Sequence, residues 1–226
     1  MNTFKWHEEA EKQWNERADF WNQNSKEMWL NGSRKSIIPF LSHYMKQGSY
    51  LVDVGCGDGV GAFLLSQSGY EVVGVDLSKE MIEHAKKHHQ ESNLTFQQGD
   101  ILTLPFEDEQ VDGVMAINSL EWTAVPAEAL KEVTRIVKRG GYACVGILGP
   151  TAGPRANSYR RLYGEDVICN TMMPWEFEKL ALEHGWAVID GHGVYKKGIT
   201  ESQVKSFSVE LKQSLTFMWV FLLKKS

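Results

Sequence analysis

Short apolar runs alternate with longer amphipathic stretches along most of this chain. Positions 50–54, 71–75, 94–97, 112–117 and 142–148 carry brief apolar stretches built largely from Val, Ile and Leu, and they predict buried strands. Between them lie helical patterns. One covers 61–67, one begins at Lys79 behind Ser78 as its cap, and one covers 127–138 with Leu130, Val133, Ile136 and Val137 on a single face. Ahead of the first strand, Trp6, Ala10, Trp14, Ala18 and Trp21 recur at three- and four-residue spacing, so 6–30 predicts a Trp-rich helix. Asn31-Gly32 breaks it, and Ser33 is placed to cap a second helix carrying Ile37, Ile38, Leu41, Tyr44 and Met45, with Pro39 marking a kink or a late start. After position 148 the pattern fades. Residues 149–171 are rich in Gly, Pro, Asn and charge and predict a loop or a short helix; 174–184 predicts a helix and 186–189 a sixth strand with room to reach 195. A helix over 201–213 and a seventh strand over 214–223 complete the series.

The junction after the first run carries the chemistry. Residues 52–61 are Val-Asp-Val-Gly-Cys-Gly-Asp-Gly-Val-Gly, and Asp76 closes the second strand 21 residues after Gly55. A turn made largely of glycine lets backbone N–H groups approach a ligand at the start of a helix. A carboxylate ending the next strand suits a ribose diol. A dinucleotide fingerprint counted from Gly55 fails at Val60. Counted from Gly57 it fits by letter, but it leaves Gly55 unexplained and sets Asp53 and Asp58 beside a pyrophosphate. Two carboxylates there favour a cationic ligand, such as one bearing a sulfonium and an ammonium.

At this point the sequence resembles the class I S-adenosylmethionine-dependent methyltransferases, whose first motif is an acid followed by G-x-G-x-G. Gly99-Asp100-Ile101, Asn118-Ser119-Leu120-Glu121-Trp122 and the Arg139-Gly140-Gly141 turn into a fifth strand follow in the order of that family, and the likeness covers roughly residues 35–150. The resemblance implies an α/β fold: a Rossmann-like, doubly wound, seven-stranded, mostly parallel sheet with an antiparallel last strand and helices on both faces. It implies one methyltransferase domain over 1–226, divided into an N-terminal cap (1–47), a cofactor core (48–148), a substrate-side insertion (149–173) and a C-terminal helix with strands (174–226). It also implies S-adenosylmethionine as cofactor. Asp53 would orient the loop or receive the ligand's ammonium, and Gly55-Cys56-Gly57 would admit the methionine part. Asp76 would bind the ribose, Leu77 would cover the adenine, Asp100 and Ile101 would meet it, and Asn118 would lie near the sulfonium.

The acceptor is less constrained. Trp21 and Trp29 on the Trp-rich helix, a lid or simply a packed element, are candidate contacts, as are Glu121 and Trp122, and Arg155 and Tyr159 in the late loop. Many family members carry His after the fourth strand, where this chain has Asn118-Ser119, so no catalytic base is assigned. The same segment departs from the Asn/Asp-Pro-Pro-aromatic motif of DNA amino-methylating enzymes. A small-molecule acceptor is therefore expected, with a pattern similar to the quinone-biosynthesis methyltransferases.

Bulk properties narrow the alternatives. With 226 residues, 42% hydrophobic, the chain can bury a full core. A net charge of −5 without a long basic run does not favour nucleic acid as a partner. The polar start of the chain carries no secretory signal, and the apolar run 215–223 is too short to span a bilayer, so a cytoplasmic protein without membrane contact is expected. Cys56, Cys144 and Cys169 are far apart and are expected as reduced, packed thiols. His84 and His88 stand four apart, but Lys86 and Lys87 beside them favour a solvated face, so no metal site is expected. A nicotinamide-dependent oxidoreductase, a non-catalytic cofactor-binding module, and a methyltransferase acting on tRNA or protein are the competing readings.

Overall fold

A computed structural model describes residues 4–226. Seven strands form one sheet: β1 (Tyr50–Val54), β2 (Glu71–Asp76), β3 (Leu94–Gln98), β4 (Val111–Ile117), β5 (Val137–Leu148), β6 (Trp186–Tyr195) and β7 (Thr216–Lys225), in the order β3-β2-β1-β4-β5-β7-β6. The pairs from β3 through β5 are parallel, and β7 runs antiparallel to both β5 and β6. This is the doubly wound mixed sheet expected from the sequence. Between β1 and β4 the strand order reverses, and a crevice opens there beyond the carboxyl ends of the strands.

Eight helices accompany the sheet among the described residues: α1 (Trp6–Leu30), α2 (Ile37–Ser42), α3 (Val60–Gln67), α4 (Lys79–His88), α5 (Pro126–Ile136), α6 (Pro174–Glu183), α7 (Glu201–Val204) and α8 (Val209–Ser214). The sheet is apolar on both faces because both are covered. Leu130, Val133 and Ile136 of α5 and Phe177 of α6 pack with Val52, Val114 and Phe221 on one side. Ile37 and Leu41 of α2, Leu65 of α3 and Ile82 of α4 pack with Leu51, Met115 and Leu222 on the other. Trp29, near the end of α1, joins this second cluster, with its ring lying where a side chain on Gly61 would otherwise stand.

Ser78 caps α4 as its sequence position requires, accepting from Met81 N at 3.1 Å. Ser33 does not cap α2, which begins at Ile37 without a side-chain cap. The turn expected at Arg139-Gly140-Gly141 lies inside β5. Its register against β4 shifts there, because Gly140 adopts φ +74° and a side chain at Gly141 would meet the Asp112 carbonyl at 2.7 Å. The helix expected over 201–213 is two short ones, and residues Gly153–Tyr163 wind as a 3-10 helix.

Candidate functional site

Three backbone constraints shape the turn after β1. The N–H groups of Gly55 and Cys56 both donate to the Val75 carbonyl, at 2.8 and 3.1 Å, which ties the turn to the end of β2. The Gly57 N–H donates to Asp76 Oδ2 at 2.8 Å, and the Ser78 N–H to Asp76 Oδ1 at 2.9 Å. Gly55, Gly57 and Gly59 all have φ between +56° and +83°, which L side chains adopt at a cost. Their surroundings differ. A Cβ at Gly55 would lie 2.5 Å from the Ser119 Cβ, and one at Gly59 would lie 2.7 Å from the Phe96 ring. A Cβ at Gly57 would meet only Met81 Sδ, at 4.0 Å, and would project into the open cleft. Gly57 is thus the point where the backbone is bare toward a ligand, while Gly55 and Gly59 are glycines because protein stands against them.

The cleft runs over the ends of β2, β1 and β4, and α1 crosses it. Gly55, Cys56, Gly57, Asp76, Leu77, Asp100, Ile101 and Asn118 line it, as do Trp21 and Trp122. Asp100 accepts the Leu102 N–H through Oδ1 and pairs with His7 Nδ1 through Oδ2 at 3.0 Å. Asn118 sits at φ +55°, a conformation Asn tolerates better than most residues. Its carbonyl accepts from the Trp122 indole at 2.7 Å. Burial holds the Cys56 thiol well above its usual range, so it is a packed, protonated group.

Other candidates from the sequence stand apart from the cleft wall. The Asp53 side chain, 3% exposed, lies beneath the turn and accepts from the Ala62 backbone. Burial pushes its pKa up to about 7, against the opposing pull of Arg34. Trp29 is core. Glu121 is fully buried with Oε1 accepting the Leu148 N–H at 2.6 Å, and burial raises its pKa. Arg155 donates to the carbonyls of Gly149, Thr171, Met172 and Leu148, which engages four of its five N–H groups. It fastens the end of β5 to the 171–172 segment and has little left for an anion. Tyr159 is 52% exposed, with its hydroxyl 3.0 Å from that of Tyr163. His84, one of the two spaced histidines, pairs with Asp19 at 3.1 Å.

Arg34 and Asp58 are the site residues that sequence reasoning underweighted. Both line the cleft beside the glycine turn, with Ser25, Met28 and Ser33. The Arg34 guanidinium lies 5.4 Å from the rings of both Trp21 and Trp29. Burial lowers its pKa, and Asp53, Asp58 and Glu121 oppose that shift. Asp58 is 5% exposed and its Oδ2 has no hydrogen-bond partner among the described residues. The one hint of Arg34 in the sequence is the basic pair Arg34-Lys35 after the break at Asn31-Gly32.

This arrangement fits S-adenosylmethionine. A bare backbone position faces the cleft at Gly57, a carboxylate with a spare lone pair on each oxygen stands at Asp76, and Asp58, with one carboxylate oxygen unpartnered among the described residues, lines the cleft together with Arg34. Residues 52–145 match the family model of a methyltransferase domain. Over that span the chain carries a methyltransferase domain and is similar to the class I S-adenosylmethionine-dependent methyltransferases. It is 32% identical over 130 residues to a ubiquinone biosynthesis O-methyltransferase of Coxiella burnetii, an overlap of 54% of each chain. The chain spans about half the length of the curated relatives it matches. In fold it is similar to the putative methyltransferase solved in complex with the Trm112 activator of Haloferax volcanii, with a TM-score of 0.71 at 21% identity, covering 93% of this chain and 96% of that one. It is similar also to an S-adenosylmethionine-dependent methyltransferase of Methanosarcina mazei, with a TM-score of 0.65 at 18% identity, covering 83% and 97%. Among the described residues no helix is long and apolar enough to cross a membrane.

Proposed function

We propose that this methyltransferase moves a methyl group from S-adenosylmethionine to a small molecule, in a cleft whose own residues bind, orient and exclude water. The observation that carries this reading is that Asp58 and Arg34 line one cleft beside the glycine turn, within electrostatic reach of each other. Opposite charges in one cleft suit the zwitterionic amino-acid end of the cofactor, with the ammonium at Asp58 and the carboxylate at Arg34. A dinucleotide pyrophosphate would meet the Asp58 carboxylate instead. Asp76 would take the ribose hydroxyls, and Asp100 and Ile101 the adenine, Asp100 through the lone pairs left beside its contacts with Leu102 and His7. When bound, the cofactor supplies a methyl carbon made electrophilic by the attached sulfonium. The protein's contribution is then mainly proximity and alignment, worth up to roughly 7–11 kcal/mol in ideal intramolecular cases. Glu121, the one carboxylate in the segment after β4, is buried against the Leu148 N–H and is not presented as a base.

Calorimetric titration with S-adenosylmethionine, S-adenosylhomocysteine and NADH in parallel tests the reading. Binding of the first two without the third is expected. Binding of NADH alone would overturn it, and binding of the first two with no methyl transfer to any acceptor would mark a non-catalytic binding module.

A further inference from the structure

The part of the cleft beyond β4 is walled differently from the rest. Trp6, Trp14, Trp122, Leu148, Pro154 and Phe217 surround it, and most of them belong to one apolar cluster with Ala10 and Ala152. Following the sheet order, the nucleoside-binding acids lie at β2 and β3, the glycine turn at β1, and this aromatic end over β4, β5 and β7. It is the space left for an acceptor.

The charged groups near that end are held away from it by protein. Glu121 lies outside the wall, held by the Leu148 N–H, and the Arg155 guanidinium is clamped on four carbonyls. His7 is paired with Asp100. The indole N–H of Trp6 donates to the Trp122 carbonyl at 2.6 Å, and that of Trp122 to the Asn118 carbonyl at 2.7 Å. These two rings therefore present carbon to the cleft. Trp14 stands edge-on to Trp122 with centroids 5.1 Å apart, leaving an angle of aromatic walls. An aromatic enclosure can also hold a cation, but here arginines already occupy the neighbouring ring faces: Arg17 over Trp14 at 5.7 Å, and Arg34 over Trp21 and Trp29. A further cation would meet their repulsion, and Glu121, whose Oε2 has no hydrogen-bond partner among the described residues, lies behind the wall and does not line the cleft. An anion would find no arginine in this part of the wall, since Arg17 lies outside the cleft lining and Arg34 stands at the glycine turn. A flat apolar ring would find edge-to-face and stacked partners and would bury no polar group of its own.

We infer that the acceptor is an uncharged aromatic molecule bound between Trp14, Trp122 and Phe217. The inference rests on the methyltransferase reading above and adds to it the chemical class of the acceptor.

The test uses the full chain saturated with S-adenosylhomocysteine, titrated with three probes of one shape and different charge: 2-naphthol, 2-naphthoate and 2-naphthylmethylammonium. Intrinsic tryptophan fluorescence and calorimetry give the affinities. The neutral probe is expected to bind at least about tenfold more tightly than either charged one, as befits a site where an ion loses water without gaining a partner. Trp14→Ala and Phe217→Ala are each expected to weaken 2-naphthol by about tenfold while leaving S-adenosylhomocysteine affinity unchanged. A charged probe that binds as tightly as 2-naphthol, or no binding of 2-naphthol to the loaded protein, overturns this inference and leaves the cofactor assignment standing. Failure of S-adenosylhomocysteine itself to bind overturns the cofactor assignment, and this inference with it.

Discussion

Asp76 is engaged from two sides before any ligand arrives, by the N–H groups of Gly57 and Ser78. Each carboxylate oxygen accepts one of these bonds and keeps a lone pair for a ribose hydroxyl. Replacing Asp76 with Ala removes a ligand acceptor and frees the turn, and it is expected to weaken S-adenosylmethionine by about 1–3 kcal/mol in calorimetry; unchanged affinity would remove the ribose role. Asp53 makes a different prediction. Its carboxyl, raised to about 7 by burial, is protonated in the folded free protein over a range in which the unfolded chain has released the proton. The stability this contributes is full below the unfolded value near pH 4 and is lost as pH rises through about 7. Asp53→Asn keeps the shape and stays neutral. In urea denaturation without ligand it is expected to exceed the wild type by roughly 1–4 kcal/mol at pH 8 and to match it near pH 4. An equal difference at both pH values would show that Asp53 does not titrate between them.

At the scale of elements, the glycine turn and α1 separate binding from folding. Gly57→Ala adds a methyl group to the cleft and one residue's worth of strain. It is expected to cost about 1–2 kcal/mol of stability and to reduce cofactor binding severely. Gly59→Ala drives a Cβ to 2.7 Å from the Phe96 ring at a positive φ, and is expected to cost about 2–4 kcal/mol in the folded state itself. Thermal unfolding beside titration distinguishes the two; equal stability loss would refute the division. Along α1 the same contrast appears. Trp29→Ala empties core packed on Gly61 and is expected to cost about 3–5 kcal/mol, whereas Trp6→Ala, at the half-exposed end, is expected to act on ligand binding more than on the denaturation midpoint.

These elements were unequally legible in the sequence. The span from β1 through the glycine turn to Asp76 could be read because strand, turn and acid are neighbours in sequence and their roles follow from local backbone geometry. The break inside β5 was less so: Arg139-Gly140-Gly141 has the composition of a turn, and only the neighbouring β4 lets it remain in the sheet as a register shift. The single helix expected over 201–213 failed for a similar reason, since the apolar period continues through a stretch that Ser208 restarts as a separate helix by capping Leu211.

Across the whole molecule, α1 is fixed to the loops around the cleft and to α4 at several separated points: Trp6 to the Trp122 carbonyl, His7 to Asp100, Asn15 to Ser78 at 2.6 Å, and His84 to Asp19. Most of these are partly exposed polar contacts; Ala10 and Ala18 are buried along the same stretch, but their side chains are small, and it is Trp29 that joins the main core. Hydrogen exchange is therefore expected to be faster over 6–21 than over 22–30 in the free protein, and to slow over 6–21 when S-adenosylhomocysteine binds. Exchange over 6–21 that ignores the ligand would make α1 a fixed wall instead of a lid.

By itself the sequence determined the order of strands and helices, the bare turn and the acid that follows it, because those depend on periodicity and on contacts within some 25 residues. Tertiary structure alone decided which charges are available. Glu121 and Arg155 have the composition of a base and an anion receptor, yet their partners are backbone groups contributed by other segments, 27 residues away for the Leu148 N–H and 17 for the Met172 carbonyl. Arg34 looks like an ordinary loop cation until α1 brings two indoles against it and the glycine turn sets Asp58 beside it. A side chain's chemistry depends on what desolvates it and what it is already bonded to, and both are properties of the packed chain.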